Sequence, residues 1–225
     1  MAAGALSGMD EVLARFSRLD ACAVSDGLDK LGLKGVVSGI HRFSTDRRIS
    51  GRVQTVRLDR AEGRPPTTRH LCTAAIEAAS PGDVIVVEQR TGLDAASWGG
   101  NLSIGAKMRG VAGVIIDGPA RDIDESRQLE FPVFAKGHTA RTARGRIVEV
   151  ATNEPVTIGD VTVSPGDYAI ADGSAVVFVS PNDILRVLEA AESIVAREKA
   201  MAEALLQGQP ISRVMGANYE HMLKR

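Results

Sequence analysis

Residues 113–124 read GVIIDGPARDID. Val114-Ile115-Ile116 is an apolar run that predicts a buried strand. Asp117-Gly118-Pro119 behind it is a turn signal. Arg121 and Asp122 follow where the chain leaves the strand and enters a short helix, predicted over Asp122–Leu129. Open α/β sheets bind ligands at the carboxyl ends of their strands. A guanidinium fork suits bidentate capture of a small carboxylate, and an adjacent carboxylate suits a hard divalent cation. The pair points to a metal-assisted site for a small anionic acid. Taken alone, it would equally suit a surface ion pair or a helix cap.

On both sides of this stretch strand and helix patterns alternate. Arg52–Leu58 alternates apolar and polar residues as a strand does. Pro65-Pro66 breaks the chain before an alanine-rich helix predicted over Thr67–Ala79. Ser80-Pro81-Gly82-Asp83 turns into a buried strand, Val84–Val87. Asn101–Arg109 reads as a helix and Pro132–Ala135 as a short strand. This alternation is the signature of an α/β layer. Ahead of it, Asp10–Arg18, capped by Asp10, and Asp20–Leu31, ended by Gly32, read as helices. Behind it, Arg146–Val150, Val156–Ile158, Val161–Val163, Asp167–Ala171 and Ala175–Val179 form a β-rich layer. Ser164-Pro165-Gly166-Asp167 repeats the earlier tetrapeptide as the same turn chemistry. Asn182–Gln207, ended by Gly208, is a long helix. It is expected to pack on the body or on a neighbouring subunit, and the amphipathic tail to Arg225 against a partner chain.

The 225 residues are 44% hydrophobic and 24% charged, with a formal net charge of −1 and 4% aromatics. Such a chain can bury a real core. It offers neither the basic field nor the stacking surface that nucleic acid needs, and no apolar run is long enough to span a membrane. Cys22 and Cys72 form no CxxC pair and read as small core residues in a reducing cytoplasm. The N-terminus has no signal-peptide pattern.

The stretch Trp98–Asp124, WGGNLSIGAKMRGVAGVIIDGPARDID, resembles the RraA-like family, which includes class II pyruvate aldolases acting on 4-hydroxy-4-methyl-2-oxoglutarate. The shared pattern is Gly100-Asn101-Leu102, Gly110, the apolar strand, then Asp117-Gly118-x-x-Arg121-Asp122. Val24-Ser25-Asp26-Gly27-Leu28, Pro132–Gly137, Pro155–Gly159 and Pro165–Gly173 agree in order with further family elements. The resemblance implies one domain over 1–225, of swivelling β/β/α, phosphohistidine-domain-like α/β fold with a long C-terminal helix. It implies a homotrimer or hexamer with sites between subunits, and a bound Mg²⁺ or Mn²⁺. It implies a lyase that cleaves or decarboxylates a small 2-oxo acid to pyruvate. Arg121 would orient the substrate and stabilise the enolate. Asp122 would ligate the metal, and Glu198 of a neighbouring subunit would reach it through water. The N–H groups of Asn101 and Leu102 would meet the substrate carboxylate at a helix start, and Gly99 and Gly100 would allow close approach.

Counted back from Arg121, Gly100 stands where characterised aldolases carry an acid that holds a proton-relaying water. Asp94 and Glu88 lie just upstream as stand-ins. A decarboxylase depends less on that acid than an aldolase does. The alternative reading is a non-catalytic regulator, like the founding RraA protein, that binds a ribonuclease or another protein. No glycine-rich loop suits S-adenosylmethionine. Plainer readings attach to the remaining candidates. Asp117 reads as a turn residue and Asp26 as a cap or structural pair. His70 and His138 read as structural, Lys136 as solvated, and Trp98 as core or pocket wall.

Overall fold

Consecutive valines and isoleucines predict strands covered on both faces, and the sheet is built from such runs. A computed structural model describes residues 11–65 and 67–216; Asp10, Pro66 and the tail from 217, with His221, lie outside the described residues. Residues 11–16 are helical. The elements that follow are α1 (Ala21–Leu31), β1 (Val36–Val37), β2 (His41–Arg42), β3 (Ile49–Arg60), α2 (Thr73–Ala78), β4 (Val84–Glu88), α3 (Gly100–Met108), β5 (Gly113–Ala120), α4 (Ile123–Gln128) and β6 (Val133–His138). After them come β7 (Ile147–Thr152), β8 (Val156–Ile158), β9 (Val161–Val163), β10 (Tyr168–Ala171), β11 (Val176–Val179), α5 (Ile184–Leu206) and α6 (Ile211–Val214).

Nine strands form one mixed sheet in the order β1-β11-β10-β3-β4-β5-β6-β2, with β7 also paired to β3. β3 to β6 run parallel, joined through α2, α3 and α4, while β10, β11 and β1 are antiparallel. The twelve-residue β3 belongs to both parts, pairing Gly51 with Ala169 and Val56 with Val87.

Alternate residues of the parallel strands face two cores. Ile85, Val87, Val114 and Ile116 pack under α2 and α3 with Trp98 and Phe131. Val84, Val86, Ile115 and Phe134 pack against Ala169, Ala171, Val176 and Phe178, so the sheet folds over on itself. The outer face of β10 and β11 takes α1 and α5 through Ile170, Val177, Val24, Leu28, Val187 and Leu188. The result is the single α/β body with a long C-terminal helix that the resemblance implies. Gly27 lets the two helices close, since a methyl there would lie 3.1 Å from the Val187 carbonyl oxygen. Asp20 caps α1 through the Ala23 N–H, and Gly32 ends it in the left-handed conformation. The two Ser-Pro-Gly-Asp turns are the same device. In each, the aspartate accepts from the serine N–H and the glycine takes a positive φ.

Several expectations are corrected. Asp117-Gly118-Pro119 is not a turn; β5 runs through it to Ala120. Proline is tolerated there because the ladder shifts register between Ile116 and Pro119. The helix expected over Thr67–Ala79 is only α2. Cys72 stands at φ 66° in front of it, and Thr73 Oγ1 turns back to the His70 carbonyl, which competes with helix formation. Cys22 is exposed, whereas Cys72 is buried. β1 and β2, two residues each, carry no periodicity to read.

Arg15 holds the first helical segment to α5 by a two-pronged bond to Glu192, at 2.9 and 2.8 Å. This pairing lowers the Glu192 carboxyl below its ordinary range. A lowered folded value means the contribution exists above the unfolded value and fades as pH falls through the folded one. Glu192→Gln should therefore lower stability at pH 7 by up to about 1 kcal/mol, since the pair is partly exposed. The difference from wild type should vanish in denaturant melts run below the carboxylate range.

Candidate functional site

Two chain crossings at the carboxyl end of β5 build the site. The segment before α3 runs beside the strand: the Ser97 N–H donates to the Pro119 carbonyl and the Arg121 N–H to the Trp98 carbonyl, both at 2.9 Å. This sets Gly99-Gly100 directly against Arg121-Asp122. Asp122 takes φ 55°, the left-handed region, which aspartate tolerates better than most residues. Its Oδ2 accepts from the Gly100 N–H at 2.9 Å and from Arg121 Nε at 3.0 Å. The pair thus is an ion pair and a cap of α3, as the plainer reading allows. It remains open on the cavity side: Asp122 Oδ1 carries no hydrogen bond from the described residues. A methyl at Gly99 would lie 2.7 Å from Asp122 Oδ2 and 3.2 Å from Arg121 Nε, so glycine is required for this contact.

A hidden network fixes the two crossings. Trp98 Nε1 donates to Ser103 Oγ at 2.9 Å, and Ser103 Oγ meets Ser126 Oγ at 2.9 Å. Both serines are fully buried, one on α3 and one on α4. Trp98 stacks on Phe131 and belongs to the core. Behind it, Ser97 Oγ donates to Gln89 Oε1, and Gly118 is glycine because a Cβ there would overlap that same oxygen.

The cavity holds about 430 Å³ and is lined by Gly99, Gly100, Asn101, Leu102, Arg121 and Asp122, all expected. Asn101 and Leu102 sit in the first turn of α3, where N–H groups have no carbonyl of their own helix to serve them. Glu125 was missed by sequence reasoning. A side chain at Gly100 would overlap Glu125 Oε2, so this carboxylate fills the space that position 100 leaves empty. Its spacing, one turn after Asp122 on α4, was the available signal. His70, Thr142 and Arg144 also line the cavity.

Other candidates are elsewhere. Glu88 accepts from the Thr157 N–H, and Asp94 pairs with Arg141, so neither replaces the missing acid. Asp117 is buried in β5, paired with Lys136 and accepting from the Gly159 N–H; it is neither a turn residue nor at the cavity. That pairing occupies Lys136. His138 packs edge-on against Phe43. Glu198 does not line the cavity of its own chain. It lies on α5, where burial, then Asp26 and Asp20, push its carboxyl up. Burial, with Glu149 nearby, likewise pushes the Cys72 thiol well up, which keeps it inert.

The donors suit a hard cation. Asp122 and Glu125 offer carboxylate oxygens, and the described residues hold no group of three or more His, Cys, Asp or Glu that would close a cage. That matches Mg²⁺, which keeps several waters, better than a structural zinc site. Ser103→Ala should destabilise by about 1–3 kcal/mol in urea titration, because it strands the Trp98 N–H and the Ser126 hydroxyl in the core.

Among the described residues no helix is long and apolar enough to cross a membrane. The RraA-like family model, described as Aldolase/RraA, matches residues 21–178. A Halalkalibacterium halodurans protein named "Putative 4-hydroxy-4-methyl-2-oxoglutarate aldolase" is 29% identical over 87% of this chain and 89% of its own. Protein DlpA of Legionella pneumophila is 26% identical over 91% of this chain, which spans only 33% of that protein. A Methanocaldococcus jannaschii protein, MJ0644, is 35% identical over 54% of this chain and 58% of its own. A Pseudomonas syringae crystal structure superposes with a TM-score of 0.83 at 28% identity, over 92% of this chain and 98% of that one. Streptomyces coelicolor RraAS2, titled an unusual member of the RNase ES inhibitor RraA family, has a TM-score of 0.79 at 24% identity, over 86% and 97% of the two chains. The chain belongs to the RraA-like, Aldolase/RraA family.

Proposed function

We propose that the chain is a divalent-metal-dependent lyase that cleaves a 4-hydroxy-2-oxo acid to pyruvate and a carbonyl compound. One observation carries this reading: the Glu125 carboxylate stands where Gly100 lacks a side chain, opposite Asp122 and Arg121. The constellation of acid, metal-holding carboxylate and guanidinium is thereby complete in a chain that seemed to lack its acid.

The roles follow from chemistry. The first-turn N–H groups of Asn101 and Leu102 receive the substrate carboxylate. Arg121 stabilises negative charge on the 2-oxo oxygen as the C3–C4 bond breaks. Glu125 takes the C4 hydroxyl proton, directly or through a water. That proton loss and the bond cleavage leave a carbonyl product and an enolate, which becomes pyruvate on protonation at C3. Asp122, with Glu125 through water, would hold a Mg²⁺ or Mn²⁺, whose contribution is Lewis-acid polarisation of the 2-oxo oxygen. Glu198 of a neighbouring subunit would complete the site through another water. Ile104 and Met108, exposed on α3, support an assembly that covers that face. A homotrimer or hexamer in the cytoplasm is the state this reading expects.

Pyruvate release from 4-hydroxy-4-methyl-2-oxoglutarate and from oxaloacetate, with Mg²⁺ or Mn²⁺ and with chelator, tests the reading. Asp122→Ala should abolish release, and Glu125→Gln should slow aldol cleavage by about 10². Pairing Gly100→Asp with Glu125→Ala should recover part of the activity that Glu125→Ala alone loses, since the new carboxylate enters the space that the shortened side chain vacates. No release from either compound by the wild-type protein would instead favour the regulator reading, which fold similarity alone supports.

A further inference from the structure

The cavity is much larger than a three-carbon acid requires, and its far side is built differently from its Arg121 end. It continues past His70, Leu71, Thr142, Ala143 and Arg144 into a second hollow of about 520 Å³ that these residues also line. Arg144 therefore stands at the junction, across the cavity from the metal-holding end. Its surroundings are pinned. The Arg141 carbonyl accepts from the Ala96 N–H at 2.9 Å, Arg141 pairs with Asp94, and Arg146 Nη1 donates to the Thr142 carbonyl at 3.0 Å. Ala143 packs on the core that holds Trp98. The nearby arginines are all engaged, Arg64 with Asp59 and Arg69 with Glu77. Arg144 is the exception: its backbone N–H bonds Thr142 Oγ1, but its guanidinium has no hydrogen bond or ion pair among the described residues.

A guanidinium with no partner among the described residues, on a braced loop and facing a cavity that already contains Arg121, is suited to a second anionic group. Without Arg144 the walls carry two carboxylates, Asp122 and Glu125, against one guanidinium. Arg144 restores the balance at the end away from the metal-holding carboxylate. A guanidinium grips a carboxylate in two-pronged fashion, which a monocarboxylic acid cannot exploit at that end.

We infer that Arg144 is a specificity-determining residue that binds the distal carboxylate of the 2-oxo acid. This rests on the lyase reading for the orientation of the substrate, with its 2-oxo carboxylate toward Asn101 and Arg121. The contact is made to bound substrate whatever the turnover, so binding tests it separately from activity. Calorimetric titration of the full chain with Mg²⁺ compares pyruvate with 2-oxoglutarate, which differs by the added carboxylate arm. Wild type should bind 2-oxoglutarate the more tightly. Arg144→Met should weaken 2-oxoglutarate about tenfold or more and leave pyruvate unchanged, while Arg144→Lys should keep part of the preference. Unaltered melting temperature is expected of both variants, since the guanidinium holds nothing in the fold. Equal weakening of both ligands, or no weakening of 2-oxoglutarate, overturns the assignment while the lyase reading stands. Failure of wild type to bind either acid overturns both.

Discussion

The geometry of the site depends on one carboxylate oxygen. Asp122 Oδ2 receives the first N–H of α3 and the Nε of Arg121, so two segments separated by twenty residues converge on a single atom. Each consequence is visible nearby. Position 99 has no room for a side chain, because a methyl would press on that oxygen. Asp122 adopts a left-handed backbone, a conformation that costs about 1–3 kcal/mol at a residue with a side chain. The cost is met by over-determination: the Asp122 carbonyl accepts from the Ser126 N–H at 3.0 Å, and Ser126 is locked to Ser103. Strain of this kind persists only where the surroundings hold it, and here Ser103, Ser126 and Trp98 are all buried.

The support is layered rather than local. Parallel strands covered on both faces provide a floor that cannot shift without disturbing two cores at once. Gly118 admits Gln89, Gln89 holds Ser97, and Ser97 starts the segment that delivers the glycines. The outer side chains Asn101, Glu125 and Arg144 are exposed and have no partner among the described residues. A cavity with a rigid base and exposed outer side chains suits a ligand that is held at one end and free at the other.

The strong periodic signals in the sequence were legible because they report burial. Val84–Val87, Val114–Ile116 and the α5 pattern all landed in place. The positions of Arg121, Asp122 and the glycine turn also followed, since motif order carries them. What failed did so for identifiable reasons. Asp117-Gly118-Pro119 has turn chemistry, yet the ladder's register shift and the space for Gln89 make it a strand. In the helix expected over Thr67–Ala79 the alanines all lie from Ala74 on, where α2 forms, while the left-handed Cys72 and the Thr73 hydroxyl bond to the His70 carbonyl end it on the N-terminal side. Glu125 was passed over because its spacing from Asp122 marks only a shared helix face, while its place in the cavity depends on the absence of a side chain twenty-five residues earlier. A vacancy and its filler lie far apart in the chain and share no periodicity.

That vacancy clarifies what the glycine at position 100 does. Position 100 is the first residue of α3 and Glu125 lies in the first turn of α4, so both stand at the positive end of a helix. Either place favours a negative charge. Exchanging one for the other conserves the electrostatics of the cavity while changing the tether. An acid at position 100 would be attached to the first turn of α3, beside Asn101 and Leu102. Glu125 instead hangs from the helix that follows Asp122, so it is tied to that residue, and its side chain carries the carboxylate across to Gly100. The space beside Gly100 is thus filled by a carboxylate carried on the other of the two segments. The constraint that made this workable is the Asp122 oxygen that keeps those segments together.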